Sequence, residues 1–378
     1  MSSARASRFH QVPSDPTRRT AAIRLPFPTR FSPHAERARR HTLQWLQETG
    51  LLRGEAEAAE YDALRLERLM AYFYPDATGT DLELAADFNA WFFIFDDQFD
   101  GLLGTRPEAI ESVVDTLVQT MTADEPPPGP PDFHDPPLVR AFRDIWRRAT
   151  AATPDSWQNR FRAHWRTYMA AHQGEAHNRT ADRLPSLEQF LEVRRHSIGV
   201  QPCLDFTERC GGYSLPDELL DSSPLREMRR ITCDVVIFVN DIVSLVKEMA
   251  AGDVNNSVVI LREQEGCTLE ESLDRIAALA NARTAHFGRL AAALSKRMSQ
   301  HGVLPEVRGH VDHFVQGMGN LMAGNLAWSL ATSRYDETGV AAVSGGRLRP
   351  WAHLTALPEP CVEGLCRARN TPPEGASI

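Results

Sequence analysis

Apolar residues recur along most of the chain at intervals of three and four, the spacing that lines one face of an α-helix. Residues 34–49 open after Ser32-Pro33 and carry Leu43, Trp45 and Leu46. Residues 56–74 carry Tyr61, Leu64, Leu66, Leu69, Met70 and Phe73. A longer apolar stretch runs from Leu82 to Phe99, with Thr80 and Asp81 placed to cap it. Further helical runs cover 107–122, 138–150, 155–173, 187–210, 224–249, 268–299 and 304–335. Alternating apolar and polar segments joined by Asn-Gly or Asp-Gly turns, the mark of hairpins, are missing. The pattern predicts an all-α fold, about ten or more helices in a single bundle.

Three segments break the pattern. Residues 1 to about 33 carry scattered prolines and arginines. Residues 124–137 (DEPPPGPPDFHDPP) cannot be helical, because proline lacks the N–H and clashes with the preceding turn. Residues from about 342 onward are rich in Gly, Pro and small side chains. The expected organisation is a disordered leader over 1–25, one helical domain over 26–340 and a mobile tail over 341–378. Residues 1–25 are expected to be dispensable. The proline segment reads as a loop between helices, since nothing before it makes a complete core.

Charge narrows the partners. Forty-one Lys and Arg stand against fifty Asp and Glu, a net charge of −9, with no basic stripe to neutralise a nucleic-acid backbone. A small polyanion needs only a local cationic site and stays open. No run of eighteen apolar residues exists, so no membrane insertion is expected. Arg5, Arg8, Arg18, Arg19 and Arg24 are followed by no apolar signal-peptide core. The six cysteines, at 203, 210, 233, 267, 361 and 366, show no CxxC spacing and read as reduced thiols of a cytoplasmic protein.

Two helices put acid on a greasy face. The first reads Trp91-Phe92-Phe93-Ile94-Phe95-Asp96-Asp97-Gln98-Phe99-Asp100. On a continuous α-helix Asp96 and Asp100 stack one turn apart, with Asp97 rotated about 100° from them. Three carboxylates in apolar surroundings repel one another and call for a cation. With no His or Cys nearby, hard oxygen ligands favour Mg²⁺ or Mn²⁺. The second helix, 231–249, is apolar almost all round, yet Asn240, Ser244 and Glu248 recur at i, i+4 and i+8. An amide oxygen, a hydroxyl and a carboxylate on one stripe can share one hard divalent cation. Either element alone could be a solvated helix end or a self-satisfied polar stripe; together they point to metal.

These residues resemble a bacterial class I terpene synthase. Asp96-Asp97-Gln98-Phe99-Asp100 matches the family's DDxxD motif, and Asn240 to Glu248 (NDIVSLVKE) matches its NDxxSxxxE motif in full. Arg194, 46 residues before Asn240, stands where the family keeps a diphosphate-sensing arginine, and Arg334-Tyr335 matches its RY pair. The wording AWFFIFDDQFDG and RRHSIGVQP is similar to pentalenene-synthase-like sesquiterpene cyclases.

The resemblance implies Mg²⁺-dependent ionisation of a prenyl diphosphate, farnesyl diphosphate first, and cyclisation in a central apolar cavity. It implies three ions, held by Asp96 and Asp100 on one side and by Asn240, Ser244 and Glu248 on the other, with Asp97 in support. Arg194, Lys247, Arg334 and Tyr335 would bind the diphosphate. Ser197 would link Arg194 to the carbonyl of Ile198 at a helix break, which Gly199 and Pro202 independently predict. Phe92, Phe93 and Trp328 would face the carbocation. Trp328 and Arg334 are expected on one helix, nearly two turns apart. Arg195 reads as a salt-bridge residue and His196 as a surface one. A diterpene cyclase on geranylgeranyl diphosphate shares every motif. A chain-elongating prenyltransferase and an inactive helical scaffold fit less well. The family implies a monomer or a homodimer.

Overall fold

The computed structural model describes residues 16–122, 136–181, 184–344, 349–351 and 354. Among these residues there are helices and turns and no strand. The helices are α1 (Pro16–Thr20), α2 (Ala35–Glu48), α3 (Gly54–Ala63), α4 (Glu67–Phe73) and α5 (Gly79–Asp96), followed by 3₁₀ turns at Asp97–Asp100 and Leu102–Thr105. Next come α6 (Pro107–Thr120), α7 (Pro137–Thr150), α8 (Asp155–Thr180), α9 (Leu187–Ser197), α10 (Val200–Gly211) and α11 (Asp217–Leu220). The chain continues through α12 (Ser223–Ala251), α13 (Ser257–Glu265), α14 (Leu269–Gln300), α15 (Pro305–Ser329) and α16 (Glu337–Ser344). The all-α expectation holds. Most of the proline segment and Cys361 and Cys366 lie outside the described residues. The other four cysteines are free thiols.

Two helices form the interior. α12 is buried from Ile231 to Val239 and packs against α9, α10, α14, α15 and α16. α5 is buried on nearly every side and packs against α2, α4 and α7. It opens two residues earlier than expected: Thr78 is the cap, its hydroxyl accepting from the Asp81 amide at 3.2 Å. A helix apolar all round has to sit inside, and its one deep carboxylate, Asp87, is held by Thr42 (2.7 Å), His41 (3.0 Å) and Arg148 (2.9 Å).

Four expectations need correction. The run 56–74 is two helices, because the chain turns through Arg65 at φ 52°. Tertiary donors take the carbonyls there: Trp328 Nε1 binds Arg65 O at 3.2 Å and Asn89 Nδ2 binds Leu66 O at 3.0 Å. The run 304–335 stops at Ser329, so Trp328 and Arg334 do not share a helix. Their proximity comes instead from a turn that brings the Tyr335 ring to 5.9 Å from the Trp328 ring.

The leader and the tail also depart from the expected boundaries. Residues 16–20 form a helical turn, and the buried Arg19 donates to the carbonyls of Ile242 (2.9 Å) and Val243 (2.7 Å). Those carbonyls belong to the NDIVSLVKE stretch of α12. Beyond residue 341, Trp351 is 1% exposed. Both segments are therefore docked on the domain where they are described. Arg19→Ala should cost about 1.5–3 kcal/mol, the range for a hydrogen bond from a charged donor. Urea denaturation of the full chain checks this, and an unchanged midpoint would return Arg19 to a dispensable leader.

Candidate active site

α5, α9, α10, α12 and α15 contribute to the wall of one cavity of about 860 Å³ counting its open mouth. Its wall includes Phe92, Phe93, Asp96, Arg194, Ser197, Ile198, Asn240, Lys247, Glu248, Trp328, Arg334 and Tyr335. Twelve of the residues singled out in the sequence, from four separate stretches, thus meet in one place. Asp97, Asp100 and Ser244 do not line it.

The reason differs for each of these three. α5 ends at Asp96 and the next four residues wind as a 3₁₀ turn. With three residues per turn, Asp97 and Asp100 come onto one face in place of Asp96 and Asp100. Asp97 is 1% exposed. Arg334 Nη2 donates to its Oδ1 at 2.8 Å and Trp351 Nε1 to its Oδ2 at 2.9 Å. Burial opposes its ionisation, but the Arg334 guanidinium holds the carboxyl below its ordinary range. Asp100 is exposed, 3.8 Å from Lys247 Nζ. Ser244 turns back on its own helix and donates to Asn240 O at 2.7 Å.

Arg194 organises the opposite rim. Its Nη1 donates to Glu175 Oε1 at 3.1 Å and to Ser197 Oγ at 3.4 Å, and its Nη2 to Asn240 Oδ1 at 3.2 Å. Asn240 Nδ2 in turn donates to Tyr335 OH at 3.2 Å. The expected link between Arg194 and Ser197 is therefore present, with Glu175 joining them through a very short bond from the Ser197 hydroxyl. Glu175 sits on α8. Sequence reasoning missed it, and no spacing to the motifs marks it. Arg195 pairs with Asp234 at 2.6 Å, the salt-bridge role expected of it.

The helix break falls where expected, and its cause is visible. Gly199 adopts φ 73° between α9 and α10. The N–H four residues after Ile198 would belong to Pro202, which has none. Among the described residues no hydrogen bond reaches the Ile198 carbonyl, and Ile198 lines the cavity. A Cβ on Gly199 would stand 3.0 Å from the Phe92 ring. Gly199→Ala should therefore cost about 1–2 kcal/mol from backbone strain, plus the displacement of a cavity-lining ring. The expected result is a lower thermal midpoint and an altered product pattern; an unchanged midpoint would contradict this reading of the break.

The charge balance leaves positions for cations and for phosphate oxygens. Burial, aided by the charge of Glu175, raises the Asp96 carboxyl. Burial, aided by Asp241, raises Glu248 to about 7. Carboxyls held against their preference to ionise are ones a hard cation would relieve. On the donor side, buried Arg334 Nη1 and Arg194 Nε have no hydrogen-bond partner among the described residues, and Arg194 Nε lies 3.9 Å from Asp241 Oδ1. The residues present therefore fit divalent ions and a diphosphate. Among the described residues, no three His, Cys, Asp or Glu side chains converge on one point. A ligand set drawn from this rim would be mixed: carboxylates on two elements plus the Asn240 amide.

His172, also unsignalled in the sequence, buttresses the aspartate turn, its ring stacked on Phe99 at 4.3 Å. Burial lowers its imidazole from 6.5 to about 4. It is neutral when folded, while the unfolded chain takes up the proton below pH 6.5. Its contribution is therefore present above pH 6.5 and is lost as pH falls towards 4, by about 3 kcal/mol. His172→Phe should lose less stability than wild type over that interval in paired denaturation curves. Parallel curves would contradict it.

The fold and site are those of a terpene synthase, and the chain belongs to that family: residues 87–286 match the family model "Terpene synthase family 2, C-terminal metal binding". Its members are metal-binding lyases, and this chain is an enzyme of that kind. It is 75% identical over 343 residues to the pristinol synthase of Streptomyces pristinaespiralis, covering 91% of this chain and 92% of that one. It is 45% identical over 380 residues to the isoafricanol synthase of Streptomyces violaceusniger, covering 99% and 98%. Among solved structures, germacradien-4-ol synthase from Streptomyces citricolor aligns with a TM-score of 0.70 at 30% identity, covering 82% of this chain and 98% of that one. No helix among the described residues is long and apolar enough to cross a membrane.

Proposed function

We propose that this enzyme ionises farnesyl diphosphate with the help of Mg²⁺ and cyclises the resulting cation to a sesquiterpene. The observation that carries the reading is the polarity of one cavity. Asp96, Arg194, Asn240, Lys247, Glu248, Arg334 and Tyr335 line it together with Phe92, Phe93 and Trp328, and on α5 the carboxylate lies one turn beyond the two phenylalanines. That is the complement of a substrate with a trianionic head and a long apolar tail. Another curated relative, 32% identical, is named as a (2E,6E)-farnesyl diphosphate cyclizing synthase.

Asp96 and Glu248, with the Asn240 amide, would hold the divalent ions, which supply Lewis-acid stabilisation of the departing diphosphate when bound. Asp100 and Ser244 would join them only after a change of rotamer. Arg194 and Arg334 would turn N–H groups to phosphate oxygens, because a planar guanidinium matches that geometry. Lys247 and the Tyr335 hydroxyl would complete the anion's shell. Breaking the allylic C–O bond leaves a delocalised cation facing the Ile198 carbonyl and the aromatic wall. The carbonyl oxygen, lacking an N–H partner, directs its dipole at positive charge without donating a proton. The rings stabilise the cation by about 0.5–2 kcal/mol each. Arg334 already lies 5.0 Å from the Phe93 ring centroid, so that face accepts a cation.

Incubation with geranyl, farnesyl and geranylgeranyl diphosphates, read by gas chromatography–mass spectrometry, tests the substrate. A cyclic fifteen-carbon product from farnesyl diphosphate alone is expected. A twenty-carbon cyclic product would make it a diterpene cyclase. Longer diphosphates formed with isopentenyl diphosphate would make it a prenyltransferase.

A further inference from the structure

Two amides lie in this cavity that the cyclisation reading does not use. Asn89 and Asn325 are 4% and 5% exposed and both line it. Neither belongs to a motif. Each has its N–H₂ end fixed by a backbone carbonyl: Asn89 Nδ2 donates to Leu66 O at 3.0 Å and Asn325 Nδ2 to Val236 O at 3.4 Å. These anchors fix which end of each amide faces inward. Neither amide oxygen receives a hydrogen bond from the described residues, and neither is sealed from the cavity.

Their positions are related. On α5, Asn89, Phe92, Phe93 and Asp96 fall at i, i+3, i+4 and i+7, so one stripe of the helix faces the cavity. Asn89 is the far end of that stripe, about 10 Å along the axis from Asp96. Asn325 lies one turn before Trp328 on α15. Trp328 binds the carbonyl of Arg65 and Asn89 binds that of Leu66, the next one along. Each amide is thus one helical turn from one ring of the same aromatic pair: Asn89 from Phe93 and Asn325 from Trp328, the two rings lying 5.4 Å apart.

An uncommitted acceptor in an apolar cavity is costly unless it is bonded, and two such acceptors can hold one water. A water donating its two hydrogens to the two amide oxygens keeps its lone pairs free and aimed into the cavity. We propose that Asn89 and Asn325 hold the water that ends the reaction, so that the product is a sesquiterpene alcohol. This rests on the cyclase reading above. The water lone pair forms the new C–O bond by filling the empty orbital of the final cation. The oxonium then loses one proton to solvent water as the product leaves, giving a neutral alcohol and a hydrated proton. Position also sets the timing. The first cation forms at the diphosphate end, and only a later one, carried to the far end by ring closure, reaches the water. The pristinol, isoafricanol and germacradien-4-ol synthases carry alcohol names, which agrees with a water-terminated reaction in this family branch.

The test uses the full-length enzyme, farnesyl diphosphate and Mg²⁺ in oxygen-18 water, reading diphosphate release alongside the product mass spectrum. Wild type should give an alcohol two mass units heavier than in ordinary water. Asn89→Leu and Asn325→Leu should each cut the alcohol fraction of total product at least tenfold in favour of hydrocarbon. That fraction is a ratio and does not depend on overall rate. If Asn89→Leu fails to fold, Asn89→Met, with its more adaptable side chain, carries the same expectation. A hydrocarbon as the sole wild-type product, an unlabelled alcohol, or variants that keep the wild-type alcohol fraction would overturn the proposal while diphosphate release leaves the cyclase reading standing. No diphosphate release from wild type would overturn the cyclase reading, and this one with it.

Discussion

Glu248→Ala should lower Mg²⁺-dependent turnover of farnesyl diphosphate by about 10³-fold, the scale of losing one arm of transition-state charge stabilisation. Helicity should stay near wild type. Glu248 sits at the end of the polar stripe on α12, with Oε2 held by Asn256 at 2.7 Å. Burial already holds its carboxyl up at about 7, so deleting it removes an anion the fold does not favour. Asn240→Ala should be at least as damaging to turnover. It removes the amide proposed to hold metal and also strips Arg194 and Tyr335 of a shared hydrogen-bond partner. Steady-state rates over a Mg²⁺ titration, with circular dichroism alongside, check both. A folded variant with near wild-type rates and Mg²⁺ dependence would remove the stripe from the site.

Arg194→Ala should fail in two ways at once. Turnover should fall about 10²–10³-fold, because the rim would lose the guanidinium proposed to bind phosphate. Stability should fall by about 3 kcal/mol, the low end for removing one partner of a buried ion pair, because Arg179 Nη2 stays 3.7 Å from Glu175. The member left behind is Glu175, 3% exposed, with Asp241, fully buried, close by. Arg194→Lys separates the two effects. An ammonium restores the charge beside Glu175 but not the fork that reaches Ser197, Asn240 and a phosphate together. It should recover most of the stability and little of the rate. Equal recovery of both would make Arg194 a charge and not a geometric sensor.

The polar stripe on α12 was legible because helix geometry relates its residues, whereas Arg194, Lys247, Arg334 and Tyr335 were read from the resemblance. Asn240, Ser244 and Glu248 need only a 3.6-residue repeat to share a stripe, and Gly199 with Pro202 announces the break that exposes Ile198. What the sequence hid was set by packing between distant segments. Glu175 reaches Arg194 from α8 with no fixed spacing to any motif. Arg19 and Trp351 lie in stretches whose composition reads as irregular, yet each finds a buried partner: the α12 carbonyls for one and Asp97 for the other. The 3₁₀ winding after Asp96 was also hidden. It follows from a sequence that continues greasy and acidic, as a helix would, and it moves Asp97 into a buried pair with Arg334 while leaving Asp100 exposed. Asn89 was lost in an apolar run where one amide carries no pattern.

The measurement that bears most directly on the central claim is diphosphate release from farnesyl diphosphate by the purified chain, with Mg²⁺, with EDTA, and with Mg²⁺ restored. The account expects release with Mg²⁺, matched mole for mole by a cyclic fifteen-carbon product, its loss in EDTA and its return with the metal. Release that persists in EDTA, or that yields only acyclic material, would contradict it.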